Sequence, residues 1–268
     1  MAVRQAAPRT LVKPRIRFRQ PAGERLGGWW QLTYSVLFLP VSAMARMRYR
    51  DVDRLPHTGP VILVANHVSH ADPLLLAKMV LDEGRVPRFL AKDSLFRGRL
   101  IGRALRGMGH IPVERTSIDA QQALAPAISA LQAGRIVIMY PEGTVTRDPE
   151  GWPMAGRLGT ARLALAEPAV PVIPVAQWGV QQSIDLYRKR VRLIPRPRHT
   201  IAIGEPIDLS AFALGPDEVP TATNLFRMTD VIMRELRDLV ADVRGVPAPT
   251  GAFYKWRPSR RGADDGSS

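Results

Sequence analysis

The sequence predicts a single α/β domain built on a central, largely parallel mixed sheet flanked by helices, and three observations carry the prediction. From Tyr49 onward, short apolar runs suited to buried strands alternate with segments of helical pattern, the arrangement expected of strands joined by crossover helices. No linker-like stretch interrupts the middle of the chain, and 268 residues, 46% of them hydrophobic, can bury one substantial core. Cysteine is absent, so disulfides, thiolate metal sites and thiol nucleophiles are excluded.

The elements follow in order. Residues 1–22 read as a flexible basic arm, because Arg4, Arg9, Lys13, Arg15, Arg17 and Arg19 stand there without an acidic residue in the first 20 positions. Residues 23–48 carry an aromatic start at Trp29-Trp30, a long apolar body and an arginine-rich exit. A spanning helix needs about 20 mostly apolar residues. This run is shorter, includes Gln31, Thr33, Ser35 and Ser42, and is broken at Pro40. Ala43-Met44-Ala45 is a poor leader cleavage site and comes late. The segment therefore predicts an amphipathic, kinked helix or helix pair in a membrane interface, with Trp29 and Trp30 at headgroup level and arginines at lipid phosphates. The competing reading is an ordinary helix packed on the domain.

The domain proper is expected over residues 49–245. Strands are predicted at VILVA (61–65), RFLA (88–91), HIPV (110–113), RIVIMY (135–140), VPVIPVA (170–176) and HTIAIG (199–204). Helices are predicted at 73–81, 100–106, 120–133 and 158–166. A last helix, 224–244, has Leu225, Met228, Ile232, Leu236, Leu239 and Val243 on one face and stops at Gly245. Residues 246–268, ending SRRGADDGSS, read as a disordered tail.

A net charge of +14 calls for an anionic partner: nucleic acid, an acidic membrane surface or a phosphorylated substrate. Aromatics are only 6% and do not interleave with basic residues as in single-strand binders, so nucleic acid is not expected. The sequence lacks GxGxxG, GxxxxGK[ST], GxSxG and HExxH, which removes the usual support for redox, NTP-hydrolysing and serine-hydrolase chemistry.

In an open α/β sheet, ligands bind beyond the carboxyl ends of the strands. Three predicted strands end in polar residues: Asn66-His67-Val-Ser-His-Ala-Asp72, Glu114-Arg115, and Pro141-Glu142-Gly143-Thr144 with Arg147 behind. The imidazole of His67 can take a proton from a hydroxyl near neutral pH and return it to a leaving group, the better if a carboxylate steadies its other nitrogen. Asp72 is placed to be that carboxylate if the chain turns tightly into the helix. Asp72-Pro73 is equally an N-cap followed by proline at N1, and the two roles are compatible. His70 reads as a second base, a metal ligand with His67 and Asp72, or a loop-packing residue. Arg115 suits bidentate capture of phosphate, and Lys92 and Arg147 are further phosphate candidates by charge. Gly143 allows close backbone approach to a ligand and Thr144 supplies a hydroxyl; a plain strand-to-loop turn explains them as well.

Taken together, NHVSHAD, GHIPVER, YPEGT and VPVIPVA resemble, in order, the four blocks of the glycerophospholipid acyltransferase family, the group that holds the 1-acyl-sn-glycerol-3-phosphate acyltransferases. The likeness spans Asn66 to Ala176, with looser similarity from about Tyr49 to Pro206. It implies that His67 is the general base and Asp72 its orienting partner. By the same resemblance Arg115 holds the acceptor's phosphate, while Glu142, Gly143 and Thr144 shape the acceptor site. Lys92 sits where members often carry a phosphate-binding lysine. The family commonly has arginine directly after EGT; this chain has Val145, with Arg147 two positions on. VPVIPVA is expected to be structural.

The implied activity is transfer of a fatty acyl group from acyl-CoA, or an acyl carrier protein thioester, to the free sn-2 hydroxyl of 1-acylglycerol 3-phosphate, giving phosphatidic acid. No bound cofactor and no metal are expected. The partners implied are the two substrates and an anionic membrane surface, with the protein monotopic on the cytoplasmic face. Three alternatives fit the residues alone: another lysophospholipid or lipid-like alcohol as acceptor, a non-catalytic basic membrane-surface module, and a metal hydrolase using His67, His70 and Asp72.

Overall fold

The computed structural model describes residues 11–12, 24, 26–33, 36, 38, 46–113, 122–182, 184–185, 190–191, 198–215 and 218–256. In chain order the elements are β1 (Leu11–Val12), α1 (Gly28–Thr33), β2 (Arg46–Arg50), β3 (Val61–Ala65), α2 (Asp72–Asp82), β4 (Leu90–Lys92), α3 (Arg99–Gly107), β5 (Ile111–Val113), α4 (Ala125–Gln132), β6 (Ile136–Met139), α5 (Gly159–Ala166), β7 (Val172–Trp178), β8 (Ile184–Asp185), β9 (Arg190–Val191), β10 (Arg198–Ile203) and α6 (Ala222–Arg244). Short 3-10 turns join several of them, including Asp93–Arg97 before α3.

Six strands form one mixed sheet in the order β1-β2-β10-β7-β3-β6. The centre, β7-β3-β6, is parallel; β10 runs antiparallel to β7, and β2 is parallel to β10. A second small parallel pair, β4-β5, continues from the β6 edge through a bridge between Phe89 and Ile138.

The central strands are continuous apolar runs because both faces of the sheet are covered. Successive residues of β3 face opposite sides: Leu63 and Ala65 join the cluster under α2, with Leu75, Leu76, Met79 and Ile138. Ile62 and Val64 join the cluster under α4, α5 and α6, with Leu131, Leu163, Leu225 and Ile232. The last helix begins at a Thr221 N-cap whose side chain accepts from the Asn224 amide and ends at Gly245 with φ 70°, the left-handed stop that glycine permits.

Three expectations change. The sheet begins earlier than foreseen: Arg46–Arg50 is a strand in register with β10, burying Met47 and Tyr49 between exposed arginines, so the boundary expected at 48 falls inside it. Of the expected basic arm, Leu11 and Val12 pair with β2, and the rest lies outside the described residues. Residues 246–256 are held against the domain rather than free: Ala155 N–H donates to Tyr254 O at 3.0 Å, Arg237 donates to Gly251 O and lies 4.6 Å over the Phe253 ring. Phe253 is partly buried against the core under α4, α5 and α6, while Tyr254 and Trp256 stay exposed; 257–268 are not among the described residues.

Candidate active site

The site is set by where two adjacent strands stop. β3 and β6 run parallel with Val64 opposite Met139, so their exit loops start side by side, at Asn66 and Tyr140. Asn66 fixes the exit: its Nδ2 donates to Gln177 O at 3.0 Å and its Oδ1 accepts from Gln177 N at 2.7 Å, prolonging the β3-β7 ladder by one side chain. His67 is the next residue and leaves the sheet.

His67 Nδ1 lies 3.0 Å from Asp72 Oδ2, at the first turn of α2. The same oxygen accepts from the amides of Val68 at 2.6 Å and Ser69 at 2.7 Å. Asp72 is fully buried. Burial pushes its carboxyl up from the ordinary value, while the His67 hydrogen bond and charge and the Ser69 and Val68 amides pull it down. Three donors on one oxygen fit an ionised carboxylate, which accepts the Nδ1 proton of a neutral imidazole and leaves Nε2 with a lone pair for chemistry. The expected N-cap role is not observed: Ala71 holds the cap position, Asp72 is the first helical residue, and its Oδ2 turns back to the loop amides. All three donors fall on Oδ2; Oδ1 is buried and has no hydrogen-bond partner among the described residues.

The rest of the imidazole's surroundings is rigid. His67 N–H donates to Glu142 Oε1 at 3.0 Å and His67 O accepts from Thr146 N at 2.7 Å, so both sides of its peptide are pinned to the β6 exit loop. Its ring stacks on Tyr140 at 4.3 Å and 25°. Glu142 is 3% exposed and holds two segments together, since Oε2 accepts from Met154 N at 2.9 Å. Burial pushes the Glu142 carboxyl up to about 8 against those two amides. Burial likewise raises the Tyr140 hydroxyl well above its usual range.

His67 opens on a mainly apolar cavity of about 320 Å3 lined also by Trp30, Leu74, Leu105, Met108 and Tyr140. Lys92, at the end of β4, and Gly143 and Thr144, in the β6 exit turn, reach the same lining. Glu142 stands behind the wall and acts on the backbone. Arg147 is not among the lining residues; its guanidinium lies 5.5 Å from the Trp256 ring, and its charge helps burial and His67 hold the His70 imidazole below its usual range. Val145, in the place where the family pattern has arginine, is buried. Arg115 lies outside the described residues, just past the end of β5 at Val113. His70 is exposed, its ring 6.3 Å from that of His67, and no group of three or more metal-type donors occurs among the described residues.

Two roles were not legible beforehand. Tyr140 closed an apolar strand pattern and resembled core, and Asn66 was visible only as the residue before the histidine. Trp30, expected at headgroup level, is 3% exposed and donates from Nε1 to Met108 O at 2.8 Å, which ties α1 to the end of α3. Trp29 packs on Gly107, where a Cβ would come within 2.1 Å of its ring.

Residues 46–178 match the family described as Acyltransferase. The chain is 27% identical over 201 residues to 1-acyl-sn-glycerol-3-phosphate acyltransferase of Bacillus subtilis (strain 168), covering 74% of this chain and 90% of that protein. It is 28% identical to the enzyme of the same name from Streptococcus pneumoniae, covering 70% and 66%. With 1-acyl-sn-glycerol-3-phosphate acyltransferase alpha of Mus musculus it shares 31% identity, covering 71% and 65%. The chain thus spans about two thirds of the length of the last two.

Proposed function

We propose that this chain, whose residues 46–178 match the Acyltransferase family, is an acyltransferase that acylates the free sn-2 hydroxyl of 1-acylglycerol 3-phosphate, with acyl-CoA as the donor. The family match sets aside the non-catalytic binding module. The observation that carries the proposal is the His67–Asp72 pair opening on an apolar cavity.

Nε2 of His67 takes the proton of the acceptor hydroxyl as its oxygen attacks the thioester carbonyl. The imidazolium is steadied by the buried Asp72 carboxylate. The tetrahedral oxyanion then collapses, the C–S bond breaks, and the departing thiolate recovers the proton from Nε2. No covalent acyl-enzyme is needed. The Gly143 amide already donates to Tyr140 O at 3.0 Å, so the role of oxyanion donor passes to the amide of Thr144, which lines the cavity. The apolar lining suits an acyl chain, and Lys92 offers a cation at its rim.

Membrane association is supported by exposed apolar and basic residues on the elements that line the cavity. Leu32 of α1, Leu95 of the 93–97 turn and Leu100 and Ile101 of α3 are exposed, and Arg97, Arg99 and Arg103 are exposed along the same turn and helix. Among the described residues no helix is long and apolar enough to cross a membrane, and these residues fit a monotopic contact.

The test is thioester consumption by the purified protein across a panel of lysophospholipids. We expect turnover with 1-acylglycerol 3-phosphate and a loss of about 10²–10⁴-fold in His67→Ala. Full activity in that variant removes the mechanism; a preference for another lysophospholipid changes the acceptor alone.

A further inference from the structure

A second cavity, of about 280 Å3, abuts the first: Leu90, Ala91, Tyr140 and Gly143 line both. Its chemistry is different. Arg157, Thr160 and Arg162 line it, at the start of α5. Neither guanidinium has a carboxylate partner among the described residues, and α5 has no acidic residue in its first turn. The leading amides of a helix are left without acceptors inside it and favour an anion. Thr160 is 1% exposed, and its Oγ1 has no hydrogen-bond partner among the described residues. Two cations, a buried hydroxyl and a helix start therefore meet at one cavity with no internal anion to neutralise them.

Gly143 explains how Arg157 reaches this place. The residue has φ 72°, and a Cβ there would lie 2.6 Å from Arg157 Nε and 3.0 Å from Cδ. Glycine at 143, which lines both cavities, thus leaves the space that the Arg157 side chain fills on the side of the second. The glycine of the EGT block, a plain turn residue by sequence, is required here by an arginine 14 positions later.

We propose that this second cavity binds the phosphate group of one of the two substrates, with Arg157 and Arg162 pairing the phosphoryl oxygens and Thr160 and the start of α5 donating to them. Its assignment to a substrate rests on the acyl-transfer reading; the anion site itself does not. The phosphate belongs to the glycerol 3-phosphate end of the acceptor or to the thioester donor, and kinetics separates these sources.

The direct test is calorimetric titration of the full chain with inorganic phosphate and with glycerol 3-phosphate at fixed ionic strength. Arg157→Gln and Thr160→Val are compared with wild type and with Arg198→Gln, an exposed arginine on β10. We expect Arg157→Gln to weaken phosphate binding about 10–100-fold, Arg157→Lys to restore part of it, and Arg198→Gln to leave it unchanged. Circular dichroism and melting curves confirm that the variants are folded. In turnover assays the KM of one substrate rises by a similar factor with kcat nearly unchanged: the acceptor's KM if its phosphate sits here, the donor's if its phosphate does. Phosphate binding by Arg157→Gln equal to the Arg198 control, or both KM values unchanged, overturns the proposal. If wild type transfers no acyl group yet Arg157→Gln still loses phosphate, the acyl-transfer reading fails and the anion site stands.

Discussion

At the scale of single residues the site depends on two carboxyl groups with opposite tasks. Asp72 gathers three donors on one oxygen that carries negative charge, and a neutral amide oxygen there accepts them more weakly and cannot steady an imidazolium. Asp72→Asn is therefore predicted to leave the imidazolium without a countercharge and to lower kcat by about 10²–10⁴-fold with little change in KM, measured by steady-state kinetics; a kcat within tenfold of wild type would show that Asp72 merely shapes the loop. Glu142 instead joins the His67 and Met154 amides from behind the cavity. Its ordinary value is 4.5 and burial lifts it to about 8, so between those values the folded protein holds a proton that the unfolded chain releases. Stability contributed by this group is complete below 4.5, falls as pH rises through the window, and levels off above about 8. Glu142→Gln loses about 1 kcal/mol of hydrogen bonding at all pH values. It also removes that slope, so its melting temperature climbs relative to wild type from pH 5 to 8, and parallel melting curves contradict the prediction. The approach of Asp72 to His67 was legible in the sequence as one reading of a five-residue spacing that a helix cap explained equally well. The backward turn of the Asp72 carboxylate was not, since Asp-Pro at a helix start reads the same whichever way the side chain faces.

At the scale of elements, α2 carries Asp72 at one end and is anchored at the other. Asp82 Oδ2 accepts from Lys78 Nζ at 2.6 Å and from the Tyr49 hydroxyl of β2 at 3.0 Å, with all three side chains buried. Removing the carboxylate leaves the Lys78 charge without it in a low-dielectric core. Asp82→Ala is predicted to cost about 3–5 kcal/mol in chemical denaturation, and Tyr49→Phe about 1 kcal/mol; equal, small losses in both would mean that the lysine finds water. The partner strand of this anchor was the element hardest to read. VILVA, RIVIMY and VPVIPVA announce themselves as apolar runs because both sheet faces are covered, whereas RMRYR hides its strand among arginines. Its signal was there as alternation, with Met47 and Tyr49 inward and Arg46 and Arg48 outward. Charge density drew attention to lipid instead. Residues 246–256 were missed for the reverse reason: their contacts with Ala155 and Arg237 are made by residues far away in the chain, and no local pattern reports them.

At the scale of the molecule, the +14 charge is legible from composition, but its placement is not. The fold sets exposed arginines at 97, 99 and 103 beside Leu95, Leu100 and Ile101, on the turn and helix that also supply Leu95 and Leu105 to the cavity wall. A bilayer offers both complements at once, phosphates for the guanidiniums and hydrocarbon for the apolar side chains, and under the proposed function a lipid acceptor would enter the cavity without crossing water. Leu100 and Ile101 are 71% and 63% exposed, so polar replacements there disturb little packing inside the protein. Full burial of such a side chain is worth about 1.5–3 kcal/mol, and partial insertion of two supports at least a tenfold effect. Leu100→Ser with Ile101→Ser is predicted to weaken co-sedimentation with anionic vesicles by about tenfold or more while the melting temperature holds. Salt should weaken the wild type's binding only in part, because it screens the arginines and spares the apolar contact. Acylation of vesicle-borne acceptor should fall with binding, and acylation of a short-chain acceptor dispersed as monomers should not. If both activities fall together, the two residues serve the cavity rather than the membrane; if vesicle binding is unchanged, the face has another use.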